Sequence, residues 1–307
     1  MNYSIINESV FQFYDITEEI KQNGFPPDVY DVEIDERTKS ITLKPTKVFS
    51  DEIININSPA FKNLVNEVQH FFLPETKQAF KDFGFLYKKS ILLHGKPGTG
   101  KTCLTIKLME MFRSNMTNGM VLVNPKLDVI PKLSKVINPE VPVLVILEEF
   151  DDVLKYYDEG EVLSMLDGEI QRPNTFYIFT TNYVEKIPNR LFRPSRISNI
   201  IEVTNPDENA RIDYLRAKLP TSTASSINYW AKQTEGLSLD DLKHTILAVK
   251  CMNQNLEQII QTLKDGHVLL NKPDRNDTAR DDYQLKLSRA AREAIEIDRQ
   301  FRGSDWV

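Results

Sequence analysis

The feature that most limits what this chain can fold into is Gly95-Lys96-Pro97-Gly98-Thr99-Gly100-Lys101-Thr102. An apolar run, Ser90-Ile91-Leu92-Leu93-His94, leads into it. Cys103-Leu104-Thr105-Ile106-Lys107-Leu108-Met109 leaves it with helical spacing. A strand, a glycine-rich turn and a helix start make a phosphate cradle. Glycines let successive backbone N–H groups turn inward, and the helix N-terminus adds partial positive charge. Gly95 to Cys103 is therefore the candidate phosphate-binding stretch. Lys101 is spaced to reach the β- and γ-phosphates, and the Thr102 hydroxyl to ligate Mg²⁺.

The 307 residues leave room for more than one domain, and 41% hydrophobic with 27% charged residues describe a soluble globular protein. No apolar run is long enough to span a bilayer, and Met1-Asn2-Tyr3-Ser4 does not begin a secretory signal. Cys103 and Cys251 do not make a disulfide framework, so a reducing cytoplasm is the expected setting. The net charge of −6 argues against broad affinity for nucleic acid.

Taken in order, residues 1–57 hold β-rich runs. Asp31–Ile34 and Ser40–Leu43, joined by a polar link, predict a hairpin. Ser58-Pro59 reads as an N-cap and first helical position, and Phe61, Leu64, Val65 and Val68 share a helical face. A short helix is expected from Glu75 to Phe83, and the N-terminal region is bounded near residue 74.

From Lys88 strands alternate with helices. The strands are expected at Ser90–His94, Met120–Val123, Val143–Leu147, Thr175–Thr180 and Asn199–Val203. Helices are expected to start near Lys101, Asp128, Phe150 and Glu161. Continuous apolar runs such as Val143–Leu147 suit buried parallel strands. After Pro206 the pattern is helical: Asp207–Leu219, Ser225–Gln233 and Leu239–Asn253. The expected organisation is an N-terminal α+β region over 1–74, an α/β domain over 75–205, a helical lid over 206–265 and a charged tail over 266–307. Within that tail, Ala279–Phe301 reads either as a polar helix or as a mobile segment.

The apolar strand Val143–Leu147 ends in Glu148-Glu149. In a nucleotide-binding sheet, acids at that end face the phosphate loop. One carboxylate would hold Mg²⁺ and the next would polarise water. A plainer reading is that Glu148, Glu149, Asp151 and Asp152 favour a helix N-terminus. The next strand ends in Thr180-Thr181-Asn182, where Asn182 either orients water or serves as a turn residue. Arg193-Pro194-Ser195-Arg196 comes next. Its arginines are either solvated or offered to a phosphate.

This order resembles the AAA family within the AAA+ ATPases, over about Glu75 to Asn253. Gly95–Thr102 matches Walker A, Val145–Glu149 resembles Walker B, and Asn182 matches the sensor-1 asparagine. Arg193 and Arg196 match the paired arginine fingers, with Ser195 in the place of a glycine. Gly236–Leu242 is similar to the lid segment around sensor 2. The lead-in Phe83–Leu93 is similar to that of the mitochondrial AAA translocases for the Rieske subunit; those carry a transmembrane anchor, which this chain is not expected to share. Glu148 departs from the usual aspartate and is one methylene longer. The segment Asn124–Asp128 lacks the aromatic-hydrophobic-glycine loop of threading unfoldases. Tyr156–Gly160 either supplies such contacts or is ordinary surface.

The resemblance implies a P-loop parallel sheet sandwiched by helices, with a helical lid. It further implies ATP and Mg²⁺ as ligands, hydrolysis to ADP and phosphate, a homo-oligomeric ring, expected as a hexamer, and an unidentified protein client. Glu149, Asn182, Arg193 and Arg196 take the catalytic roles in this reading, and Thr102 and Glu148 the metal. Two other classes stay open: a nucleic-acid remodeller related to helicase loaders, and a slow nucleotide-gated scaffold.

Overall fold

The computed structural model describes residues 3–7, 10–13, 27–35, 37, 40–47, 58–167 and 171–270. Their centre is one sheet. Its strands are β1 (Tyr3–Asn7), β2 (Val10–Phe13), β3 (Asp28–Asp35), β4 (Ser40–Pro45), β5 (Lys88–His94), β6 (Met120–Val123), β7 (Val143–Leu147), β8 (Thr175–Thr181) and β9 (Asn199–Glu202). They lie in the order β1-β2-β4-β3-β6-β7-β8-β5-β9. The pairings from β3 through β6, β7, β8 and β5 to β9 are all parallel. Those among β1, β2, β4 and β3 are antiparallel.

Alternation along the central strands decides what covers each face. Val143, Val145 and Leu147 of β7 join one core cluster, and Leu144 and Ile146 join the other. Helices α4 (Val129–Val136), α5 (Phe150–Tyr156) and α6 (Glu159–Asp167) cover the first face with Ile130, Leu133, Phe150 and Met165. Helices α1 (Pro59–Phe71) and α3 (Lys101–Asn115) cover the second with Leu64, Val68, Leu108 and Phe112. Ser58 caps α1 by accepting from the Phe61 amide, and α2 (Pro74–Asp82) comes after it without a fully buried residue.

The expected hairpin forms, with Val32 opposite Leu43 and Ile34 opposite Ile41. Its edge then does something that periodicity does not reveal. Asp28 and Val29 pair in parallel with Met120 and Val121, so the hairpin extends the central sheet. Tyr30, Ile41 and Leu43 are buried in the same core as β7. Away from the strands' C-terminal ends, the buried Arg172 ties together the turns before β7 and β8. It donates to the carbonyls of Asn138, Val141 and Pro173 at 2.9–3.1 Å.

After the sheet, α7 (Glu208–Lys218), α8 (Ala224–Gln233) and α9 (Leu239–Ile246) pack around Leu215, Trp230 and Leu242. Asp207, Thr223 and Ser238 cap them. The single helix expected over Leu239–Asn253 instead widens into a π-turn at Leu247–Cys251, where the Met252 amide reaches back five residues to the Leu247 carbonyl.

Residues up to Leu256 form one compact unit and Glu257–Val307 a second. The second is entered through α10 (Leu256–Leu270), a helix beyond those expected from the sequence. The tail segment Ala279–Phe301 lies outside the described residues. No helix among the described residues is long and apolar enough to cross a membrane.

Candidate functional site

Parallel strands place their C-terminal ends on one edge, and the loops that leave those ends meet there. The segments after β5, β6, β7 and β8 enclose a cavity of about 520 Å³. Pro97, Gly98, Gly100, Lys101, Thr102 and Cys103 line it from the loop and the start of α3. Glu148 and Glu149 line it after β7, and Thr180, Thr181 and Asn182 at the end of β8. Asn124 comes from the end of β6 and Asp240 from the start of α9.

The loop needs its glycines for close approach as well as for shape. A Cβ on Gly95 would strike the Val203 carbonyl, a backbone atom that cannot move aside. Gly100 has φ 98° and precedes the first turn of α3. Gly95, Lys96 and Thr99 of the expected stretch do not line the cavity. Thr99 Oγ1 donates to the Lys96 carbonyl at 2.9 Å. Lys101 is buried, and its Nζ donates to the carbonyls of Gly95 and Lys96 at 2.7 and 3.0 Å. Burial pulls its pKa below the usual lysine value, while Asp151, Asp240 and Glu149 push it back up.

The two acids are held differently. The Glu148 amide donates to Asn124 Oδ1 at 2.7 Å, and its carboxylate accepts from Thr105 Oγ1 at 3.1 Å. Thr105 lies on α3, and its single hydroxyl proton is shared between that carboxylate and the Thr102 carbonyl, 2.9 Å away. Glu148 is thus anchored to the helix that carries the proposed metal hydroxyl. Glu149 has φ 51°, a left-handed conformation that a non-glycine residue adopts at a cost of about 1–3 kcal/mol. Its amide donates to Thr180 Oγ1 at 3.2 Å. Partial burial raises its carboxyl pKa, with Asp152, Asp151 and Glu148 adding to the rise and Lys101 opposing it. A raised carboxyl in a cleft suits a group that takes a proton from water.

Asp151 is the buried acid of this segment and accepts from Thr181 Oγ1 at 2.6 Å. Among the carboxylates that act on Lys101 it is the strongest. In the sequence it reads only as a helix-start acid. Asn124, Thr180, Thr181 and Asp240 are likewise wall residues that sequence reasoning misses. Asn124 carries a signal: an Asn directly after an apolar strand favours the left-handed turn that it adopts here, with φ 45°.

Arg193 and Arg196 do not line the cavity. Arg196 is pinned: its Nε faces Asp167 at 3.3 Å and its Nη1 donates to the Arg190 carbonyl at 2.8 Å. Arg190 in turn pairs with Glu159, so the two ends of α6 hold this segment. Arg193 is exposed, and no hydrogen bond or ion pair engages its side chain among the described residues.

The residues fit a nucleotide with a divalent cation. The buried ammonium of Lys101 and the glycine loop suit phosphate oxygens. The Thr102 hydroxyl and the Glu148 carboxylate are the hard oxygen donors that Mg²⁺ takes. These residues would hold the phosphates and the metal, which when bound neutralises phosphate charge.

Comparison with known proteins agrees with this geometry. Residues 91–205 match the model of the ATPase family associated with various cellular activities (AAA). Over those residues the chain is similar to the AAA domains of that family. It is also similar to a Plasmodium falciparum (isolate 3D7) protein named "Putative cell division cycle ATPase". The two are 26% identical over 210 residues, which is 62% of this chain but 17% of that protein's length.

Proposed function

We propose that this chain hydrolyses ATP to ADP and phosphate with Mg²⁺, in a homo-oligomeric ring, and uses the cycle to remodel a protein client. The observation that carries the reading is the single cavity shared by Lys101, Thr102, Glu148, Glu149 and Asn182. They come from three separate segments of the chain, and each has the chemistry that phosphoryl transfer to water uses.

In this reading Lys101 and the loop amides grip the β- and γ-phosphates. Thr102 and Glu148 hold the metal. Glu149 takes the proton of the attacking water, and Asn182 orients that water. Thr180 and Thr181 fix the backbone and the acids around them. Arg193 is free to act in trans on a neighbour's phosphate, which favours a ring over a monomer. The N-terminal strands and the Tyr156–Gly160 segment are the surfaces proposed for client contact. Cys103 and Cys251 are not joined in a disulfide, which suits a cytoplasmic setting.

The test is steady-state phosphate release by the full chain, with Glu149→Gln and Arg193→Ala variants alone and mixed. Each variant alone should be inactive. Mixed rings should recover activity, because an intact Arg193 from one subunit completes an intact Glu149 site in the next. A mixture that stays at the level of its components, with mixed rings confirmed by size exclusion, removes the trans assignment. Wild-type protein that releases no phosphate at all supports the slow nucleotide-gated scaffold, a reading favoured by the extra methylene of Glu148 and its tie to Thr105.

A further inference from the structure

The start of α9 is seated on the phosphate loop itself. The Asp240 amide donates to the Gly98 carbonyl at 3.2 Å. A Cβ on Gly98 would lie 2.8 Å from Ser238 Oγ and 3.3 Å from the Asp240 side chain. A Cβ on Gly100 would lie 2.7 Å from Leu239 Cδ1. Both glycines have positive φ, which favours glycine, and the side chains of the α9 start pack close against them.

The seat is firm on the lid side. Ser238 and Asp241 close a capping box, with the Ser238 amide on Asp241 Oδ2 at 2.8 Å and the Asp241 amide on Ser238 Oγ at 3.2 Å. Asn205 Nδ2 donates to the Gly236 carbonyl at 2.8 Å. This commits the Asp241 carboxylate to the cap. The Asp240 carboxylate is turned to another use: it lines the cavity and acts on the Lys101 ammonium. A helix start would by itself favour an anion. Here that preference is opposed by a negative side chain at the second helical position, in a cavity that already holds Glu148 and Glu149.

We propose that Asp240 is a specificity-determining residue that sets the ratio of ATP to ADP affinity. Its carboxylate repels each added unit of phosphate charge near Lys101, so it lowers affinity for the triphosphate more than for the diphosphate. Because the same residue bonds to Gly98 through its backbone, the lid senses that repulsion directly at the phosphate loop. This inference rests on the reading of the cavity as a nucleotide site.

The test is calorimetric affinity of the full chain for ATP and for ADP, each with Mg²⁺, at low and moderate salt. The variants are Asp240→Asn, Lys101→Ala and Glu235→Gln. Asp240→Asn keeps the backbone bond to Gly98 and nearly the same side-chain volume, and a melting curve checks that the fold is retained. Glu235 is an exposed acid outside the cavity wall and controls for net charge. Asp240→Asn should tighten ATP by about three- to ten-fold and ADP by less, with the difference shrinking as salt screens it. Glu235→Gln should leave the ratio where it was. An unchanged ratio in Asp240→Asn overturns the inference. So does weaker binding of both nucleotides, which would make the carboxylate a hydrogen-bond acceptor for the ligand. Loss of ATP binding in Lys101→Ala upholds the nucleotide site in either case. Wild-type protein that binds neither nucleotide would sink the functional reading together with this one.

Discussion

Thr181 donates its hydroxyl to the buried carboxylate of Asp151 at 2.6 Å, and Asp151 is the carboxylate that acts most strongly on Lys101. The end of β8 thereby reaches the phosphate loop through one side chain of α5. Replacing Thr181 by Val leaves that carboxylate without this donor. Loss of a buried hydrogen-bond partner costs about 1–3 kcal/mol. Urea unfolding should show an unfolding free energy lower by that amount, and nucleotide affinity should fall with it.

Glu149→Gln should bind ATP and fail to hydrolyse it, because the amide cannot accept the proton of water. The raised pKa adds a second readout. In the parent, turnover should fall with acidity at a pH above the ordinary carboxylate value of 4.5. The folded protein holds this proton more readily than the unfolded chain. The contribution of Glu149 to stability is therefore full below the unfolded pKa and is lost as pH rises through the folded one. Glu149→Gln should melt higher than the parent at neutral pH, and the gap should close in acid. A parent whose acid limb stays at 4.5 would remove the environment argued for this carboxyl.

Leu43→Ala should cost about 2–5 kcal/mol, as for other large core side chains cut to alanine. Leu43 precedes the phosphate loop by a long stretch of chain, yet it is fully buried in the core that carries β7. Deleting residues 1–47 removes Tyr30, Ile41 and Leu43 together and should leave the rest insoluble or unfolded. Circular dichroism and solubility of the two variants are the measurements. A soluble, ATP-binding truncation would make the hairpin dispensable.

Arg193→Ala and Arg196→Ala should part company. Arg193 is exposed, so its loss should change stability by no more than about 0.5 kcal/mol while turnover collapses. Arg196→Ala gives up the Asp167 pair and the bond to the Arg190 carbonyl, and should cost about 1 kcal/mol. Thermal melts beside turnover at saturating ATP separate the two roles. Equal melts for both variants would show that the clamp on Arg196 does not contribute to folding.

The residues are legible where a structure is local. The phosphate loop is contiguous, and its shape is written in glycines with a strand before and a helix after. The parallel strands announce themselves as apolar runs, and the caps at Ser58 and Ser238 stand where polar residues precede helical spacing. Contact between segments far apart in the chain is the part that escapes. Nothing in the β3 pattern says that its neighbour is β6, because two paired residues, Asp28 and Val29, make that join. Nothing local marks Asp240 as a cavity residue, since its place depends on the lid meeting Gly98. Helix α10 is a different kind of miss: Leu256, Ile259, Ile260 and Leu263 have helical spacing, but the charged residues around them mask it.

The join between β3 and β6 also has a mechanical side. The N-terminal hairpin is not tied to the edge that carries the cavity by a slack tether. Its strands are laced through β3 to β6 and from β6 to β7 by backbone hydrogen bonds. Just past those last two strands, Asn124 grips the amide of Glu148. A pull applied at the hairpin therefore loads these ladders in series, and at each one the bonds are strained side by side rather than one after another. Along that route the β3–β6 join is the shortest, with two paired residues against six between β3 and β4 and four between β6 and β7, so a pull at the hairpin should part it first.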